Sequence, residues 1–309
     1  MAKKTGLKLG LCCIFRKAPI KFRQTRLSFV EKLKNPLDFL SEIVLHNSLS
    51  LIQAIEYCKK HNIGAFRVNS RFCPLITHPK MRYRIEDLKD GEKILKNLAY
   101  AKALAKDNHI RLSFHPDQFV ILNSPNQTVI ARAIEDLAYH ADLADKIGAD
   151  VINIHGGGVY GDKEKALLKL KTTIENLPQN IFAKLTLEND DKSYTPEDLI
   201  PLCLELGIPL VYDVHHHRCL KDSLSIEDAT MLALATWNRE PLFHISSPLE
   251  GWDGKKPYRH HDYIDSKDFP SIWLEITPLT VDIEAKAKEC AVERLYLELS
   301  PTSIHSAHN

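Results

Sequence analysis

The chain has 309 residues, 44% of them hydrophobic and 26% charged, the composition of a globular protein with room for one large barrel or two ordinary domains. Lys and Arg total 41 against 40 Asp and Glu, and the resulting net charge of +1 excludes a broadly basic nucleic-acid coat. Any DNA-binding face must be a local patch balanced by acid elsewhere.

The opening, MAKKTGLKLGLCCIF, lacks the long apolar core and cleavage site of a signal peptide. No run of about 18 apolar residues offers a membrane span. Seven scattered cysteines (Cys12, Cys13, Cys58, Cys73, Cys203, Cys219, Cys290) include no Cys-x-x-Cys pair, which indicates neither a disulfide framework nor a structural zinc site. Reduced thiols in the cytoplasm are expected.

In chain order, the first strand candidate is LKLGLCC (7–13), followed by a segment, 36–60, whose apolar residues recur every three or four and predict a helix. GAFRV (64–68) leads into CPLITHP, which carries His78. IRLSF (110–114) is followed at once by His115 and then Gln118-Phe119, and a second helical pattern covers 126–147. DVINI (150–154) precedes His155 and Gly156-Gly157-Gly158. KLTLE (184–188) ends in Glu188, and Thr195-Pro196-Glu197-Asp198 opens another helix with a capping residue, a first-turn proline and early acids. PLVYD (209–213) ends in Asp213, with His215-His216-His217 next. LFHIS (242–246) contains His244, YRHHDYI carries His260, and TVDIE (280–284) ends in Glu284.

Short apolar runs without alternation suit parallel strands buried on both faces. Eight of them with intervening helices give the count and size of a single-domain (β/α)8 TIM barrel. The rival, an open doubly wound sheet, normally shows a glycine fingerprint after its first strand, and Gly10-Leu11-Cys12-Cys13 has none. No repeat, low-complexity tract or linker divides the chain.

In a barrel, active-site groups come from the C-terminal strand ends. A lone histidine there is more often a hydrogen-bonded structural residue than a ligand. Here six of eight strand ends carry His, Asp or Glu, and independent structural residues would not choose the same face. Buried carboxylates are costly unless a cation accompanies them. At least five imidazoles and three carboxylates exceed the needs of one tetrahedral ion, so two or three metals are expected, with Glu188 placed to bridge. Nitrogen and oxygen donors without thiolate suit manganese or zinc. Such clusters favour phosphodiester hydrolysis, although metal-dependent sugar isomerases and epimerases use similar ligands on the same barrel. Gly156-Gly157-Gly158 lacks P-loop spacing, so close backbone approach beside His155 is its expected role. Asn189 is placed to orient a ligand.

The motifs FRVNSRFCPLITHP, RLSFHPDQFVILNSPN, INIHGGGVYGDKEKAL, LTLENDDKSYTPEDL, VYDVHHHRC, FHISSP and VDIEAKAKE, in this order, resemble the UV-damage endonuclease family, a barrel related to apurinic endonucleases. The resemblance runs from about residue 7 to 290. It implies that His78, His115, His155 and Glu188 hold one metal, that Glu188, Asp213, His244 and Glu284 hold a second, and that His216 and His260 hold a third. Glu188, His115, His155, Asp213 and Glu284 then stand as catalytic residues. Gln118 and Phe119 match the pair that probes the lesion, with phenylalanine in place of the usual tyrosine.

The implied activity is nicking of double-stranded DNA on the 5′ side of UV photoproducts by metal-activated water, leaving 3′-hydroxyl and 5′-phosphate ends. Mn2+ is the expected ion and Zn2+ the second choice. A monomer is expected, with no membrane contact and no nucleotide cofactor. A sugar isomerase or epimerase is the alternative; it accounts for the ligands but not for Gln118-Phe119 or the whole motif series. One departure stands out: many members carry lysine two residues before the strand-seven histidine, and here Leu242 occupies that position. That puts the third metal in question. Lys286 and Lys288 are placed either against backbone phosphates or at a solvated helix start.

Overall fold

The computed structural model describes residues 6–300. Its framework is eight parallel strands: β1 (Leu7–Cys12), β2 (Ala65–Val68), β3 (Arg111–Phe114), β4 (Val151–His155), β5 (Leu185–Glu188), β6 (Leu210–Val211), β7 (Leu242–Ile245) and β8 (Leu279–Ile283). They pair in the order β6-β5-β4-β3-β2-β1-β8-β7, and every predicted run overlaps its strand. The barrel reading therefore holds.

Strand residues alternate between a helix-facing layer and the barrel lumen. Phe66, Phe114 and Phe243 are fully buried in the hydrophobic core, each contributing roughly 1.5–3 kcal/mol relative to exposure. Arg67, between Phe66 and Val68, instead meets Asp282 and Glu284 across the lumen. The helices lie where periodicity placed them. Pro36–Lys60 starts with its proline in the first turn, where a missing N–H costs nothing. Gln127–Ile147 is capped by the Asn126 side chain and stopped by Gly148 at φ 78°. Pro196–Leu206 carries a full capping box between Thr195 and Asp198. All seven cysteines are free, and among the described residues no helix is long and apolar enough to cross a membrane.

The lumen is polar at both ends. At the N-terminal mouth, Lys8 reaches Glu240 (2.9 Å), Thr280 donates to Glu240 (2.5 Å), and Arg111 grips Asp150 with Nε and Nη2 (3.0 and 2.8 Å) while Nη1 donates to the Pro241 carbonyl (3.1 Å). Closure between β6 and β7 is thin: one parallel bridge joins Asp213 to His244, with His244 N–H donating to Tyr212 O (3.0 Å). β6 is short because side chains take its backbone. Leu210 N–H donates to Thr236 Oγ1 (2.8 Å), and Leu210 O accepts from Trp237 Nε1 (2.8 Å).

Candidate metal centre

At the C-terminal mouth the strand ends converge on Glu188, which is fully buried. Its support comes from below: Thr186 donates to Asn153 Oδ1 (2.9 Å), and Asn153 Nδ2 donates to Glu188 Oε2. Around it stand His115 Nε2 (3.0 Å from Oε2), His244 Nδ1 (3.2 Å from Oε1) and His216 Nδ1 (3.4 Å from Oε1). Two donor groups emerge, His115–His155–Glu188 and Glu188–Asp213–His216, each with one ligand atom per residue lying within 4.8 Å of the others. Glu188 belongs to both, the bridging place the sequence suggested.

Local structure fixes the remaining donors. Asn189, next in chain after Glu188, pins Asp213 from both sides: Asp213 N–H donates to Asn189 Oδ1 (2.9 Å) and Asn189 Nδ2 donates to Asp213 O (2.9 Å). The Asn189 carbonyl also accepts from His216 Nδ1 (3.0 Å), which fixes the orientation of that ring. Asp213 in turn caps the short helix Val214–Cys219 by accepting the His216 N–H (2.7 Å). His115 likewise donates from Nδ1 to Pro116 O (3.2 Å) and presents Nε2 to Glu188.

Of the three consecutive histidines, His216 faces the cluster. His217 is held elsewhere by Tyr212 Oη (2.7 Å) and Asp222 (2.8 Å), and His215 packs beside His260 and Trp252. His260 Nδ1 lies 3.7 Å from Glu284 Oε2, whereas the His261 Nδ1 accepts the Tyr263 N–H (3.0 Å) in a turn. Glu284 closes the group from β8, 3.4 Å from His244 Nδ1. His78 is in neither donor group and does not line the cavity; its Nδ1 accepts the Lys80 N–H (3.2 Å).

The charges are mutually dependent. Burial would push Glu188 up, yet His244, His155 and His115 hold it well below the usual carboxylate range. Burial disfavours charge on His244, but Glu188 and Glu284 raise it to about 9. His216 is raised against burial by Asp213 and Glu188, while burial lowers His155. Glu284 is held low, against burial, by Arg67, His244 and His260.

The donor set fits divalent cations. His155 Nδ1, Glu188 Oε1, Asp213 Oδ2 and His244 Nδ1 are buried and have no hydrogen-bond partner among the described residues. Orphaned lone pairs of this kind, all nitrogen and oxygen, suit manganese or zinc.

Two residues beneath the cluster escaped the sequence reading. Arg67 binds Glu284 (2.6 Å), and Asp282 is fully buried between Arg67 Nε (3.9 Å) and His244 Nε2 (3.7 Å), its carboxyl pushed up by burial. Gly10 makes room for it, since a Cβ there would lie 2.1 Å from Asp282 Oδ1. The available signal was a charge in the middle of an otherwise apolar run, at Arg67 in GAFRV and Asp282 in TVDIE. The glycine run does permit close approach: Gly157 adopts φ 89°, and a Cβ would lie 2.2 Å from Asn123 Oδ1.

Above the cluster opens a cavity of about 480 Å³, lined by His115, Gln118, His155, Glu188, His260 and Glu284 among others. Phe119, beside Gln118, is 73% exposed, an unusual state for an aromatic ring.

A barrel with a multi-carboxylate, multi-imidazole mouth defines a class of metal-dependent enzymes, and fold alone does not choose among them. A D-psicose 3-epimerase from Clostridium cellulolyticum H10 shares the fold, with a TM-score of 0.54 at 12% identity over 96% of this chain and 98% of its own. Sequence does choose. The family UvdE, UV-endonuclease, matches residues 7–307, and this chain belongs to it. A UV DNA damage endonuclease from Bacillus velezensis is 33% identical over 97% of this chain and 95% of its own length. The crystal structure of SacUVDE superposes with a TM-score of 0.84 at 30% identity, covering 94% of this chain and 98% of that one.

Proposed function

We propose that the protein nicks double-stranded DNA on the 5′ side of UV photoproducts, leaving 3′-hydroxyl and 5′-phosphate ends. Glu188 carries this reading: a wholly buried carboxylate, held ionised, shared by two donor groups at the floor of an open cavity. Two or three divalent ions, Mn2+ first and Zn2+ second, would be held by His115, His155, Glu188, Asp213, His216, His244, His260 and Glu284. When bound, such ions neutralise phosphate charge and bring the pKa of water toward neutrality. Asn153 and Asn189 keep the donors aimed, so little reorganisation accompanies the reaction. His78, grouped by the motif pattern with His115, His155 and Glu188, is proposed as a further ligand.

Gln118 and Phe119 stand at the mouth as a wedge. An exposed ring on a short loop offers a stacking face to DNA that a lesion has already unstacked, where insertion is cheapest. The chain acts as a single-domain monomer in the cytoplasm and uses no nucleotide cofactor.

The test is an end-labelled duplex carrying one cyclobutane dimer, incubated with Mn2+ or with chelator beside an undamaged duplex. A Mn2+-dependent nick immediately 5′ of the dimer, absent from the undamaged strand, is the expected result. An intact damaged duplex in every divalent metal overturns the reading.

A further inference from the structure

The loop after β8 carries two lysines, Lys286 and Lys288. Lys286 N–H donates to His261 O (3.1 Å) and Ala287 N–H to Asp262 O (2.9 Å), which lays the loop alongside the segment bearing Arg259 and His260. Lys288 caps the helix Glu289–Glu298 at φ 54° and ψ −123°, a strained backbone for a residue with a side chain. The strain is enforced from below. The Glu289 carboxylate accepts the N–H groups of Arg16 (2.7 Å), Lys17 (2.6 Å) and Ala18 (3.0 Å), locking the loop after β1 onto the same helix start.

The result is a cleft of about 280 Å³ lined by Arg67, Arg259, His260, Glu284, Lys286 and Lys288. Arg67 is committed to Glu284 and Arg259 to Glu250 (3.3 Å). The ammonium groups of Lys286 and Lys288 have no hydrogen bond or ion pair among the described residues. The cleft shares His260 and Glu284 with the metal cavity, so the two are continuous. The opposite wall of that cavity, beyond β5, carries Asp190, Asp191 and Lys192. With four cations against Glu284 on the cleft side, the net positive charge of the mouth lies there.

A small basic cleft with free ammonium groups, opening onto a phosphodiester-cleaving centre, selects a phosphate rather than a base. We propose that this cleft seats the DNA phosphate adjacent to the one being cut, held by Lys286 and Lys288. The inference rests on the DNA-nicking reading above. Its contacts carry no sequence information, as suits an enzyme directed by helix distortion.

The test combines variants with neutralised phosphates. Dimer-containing duplexes are made with a single methylphosphonate at each position flanking the nick and assayed with wild type, Lys286→Ala/Lys288→Ala and Lys286→Arg/Lys288→Arg, all checked for unchanged melting. For the alanine pair, KM is expected to rise about ten-fold or more while kcat falls far less. The log–log salt dependence of its binding should become shallower by about one per lysine removed. One methylphosphonate beside the nick should weaken wild type and the arginine pair but not weaken the alanine pair further. Wild-type nicking with the alanine pair still sensitive at every position overturns the cleft while leaving the activity standing. A wild type that never nicks overturns the activity itself.

Discussion

The two mouths of the barrel are built from the same materials and end in opposite states. At the N-terminal mouth, Lys8 and Thr280 pair with Glu240 and Arg111 pairs with Asp150 at 2.5–3.0 Å, and Arg239 adds a longer contact to Asp150 (3.7 Å). At the C-terminal mouth, Glu188, Asp213, His155 and His244 converge with buried polar atoms that have no hydrogen-bond partner among the described residues. The first arrangement spends polar groups on holding the fold. The second keeps them poised for something outside the chain, at a cost in desolvation that satisfied groups do not bear.

The contrast can be broken at either mouth, and the largest effect on cleavage falls at the upper one. Glu188→Gln keeps the size of the side chain but removes the shared charge. Nicking of the dimer duplex should fall about a thousand-fold or more, since several kcal/mol of charge stabilisation are lost. Asn189→Ala, which removes both side-chain bonds to the Asp213 backbone, should weaken Mn2+ binding about 10- to 100-fold in a direct titration while leaving the secondary structure intact.

Acidity gives a graded version of the same loss. Metal-free His244 holds its proton to about pH 9, against 6.5 for an ordinary imidazole, because Glu188 and Glu284 stabilise the charged ring despite its burial. A metal must displace that proton. Apparent Mn2+ affinity should therefore rise with pH up to about 9 and fall about ten-fold per unit below it for each proton displaced. Calorimetry in buffers of different ionisation heat reads the released protons directly; no release at pH 7.5 would refute the assignment. Least affected in cleavage is the lower mouth. Arg111→Met should cost about 1–3 kcal/mol in urea unfolding yet leave the nicking rate of the folded enzyme unchanged.

The two mouths also differ in how much of them was legible in sequence. Strand ends could be read because a polar residue follows an apolar run at Glu188, Asp213 and Glu284, and their convergence follows from the barrel. His216 faces the cluster and His217 and His261 do not, in keeping with the motif pattern. What escaped lies in the third dimension. Thr186 and Asn153 sit mid-strand on neighbouring strands, and nothing in either segment says that they stack into a relay beneath Glu188. Arg67 and Asp282 were visible as charges inside apolar runs, but their pairing across the lumen needs the strand order of the closed ring. His78 is a mixed case. Its place after the second strand could be read, while its local contact, Nδ1 accepting the Lys80 N–H, could not. The shortness of β6 was unreadable because it depends on Thr236 and Trp237, whose side chains occupy the backbone from outside.

That short strand makes the ring a nearly open band, clasped between β6 and β7 by a single bridge whose two members, Asp213 and His244, belong to the donor cluster. Amide hydrogens on either side of the clasp should exchange with solvent sooner than those of β1 and β8, which pair along five positions. Glu188 and Asp213 stand on one side of that seam and Glu284 on the other, so ions held by them would tie its two edges together.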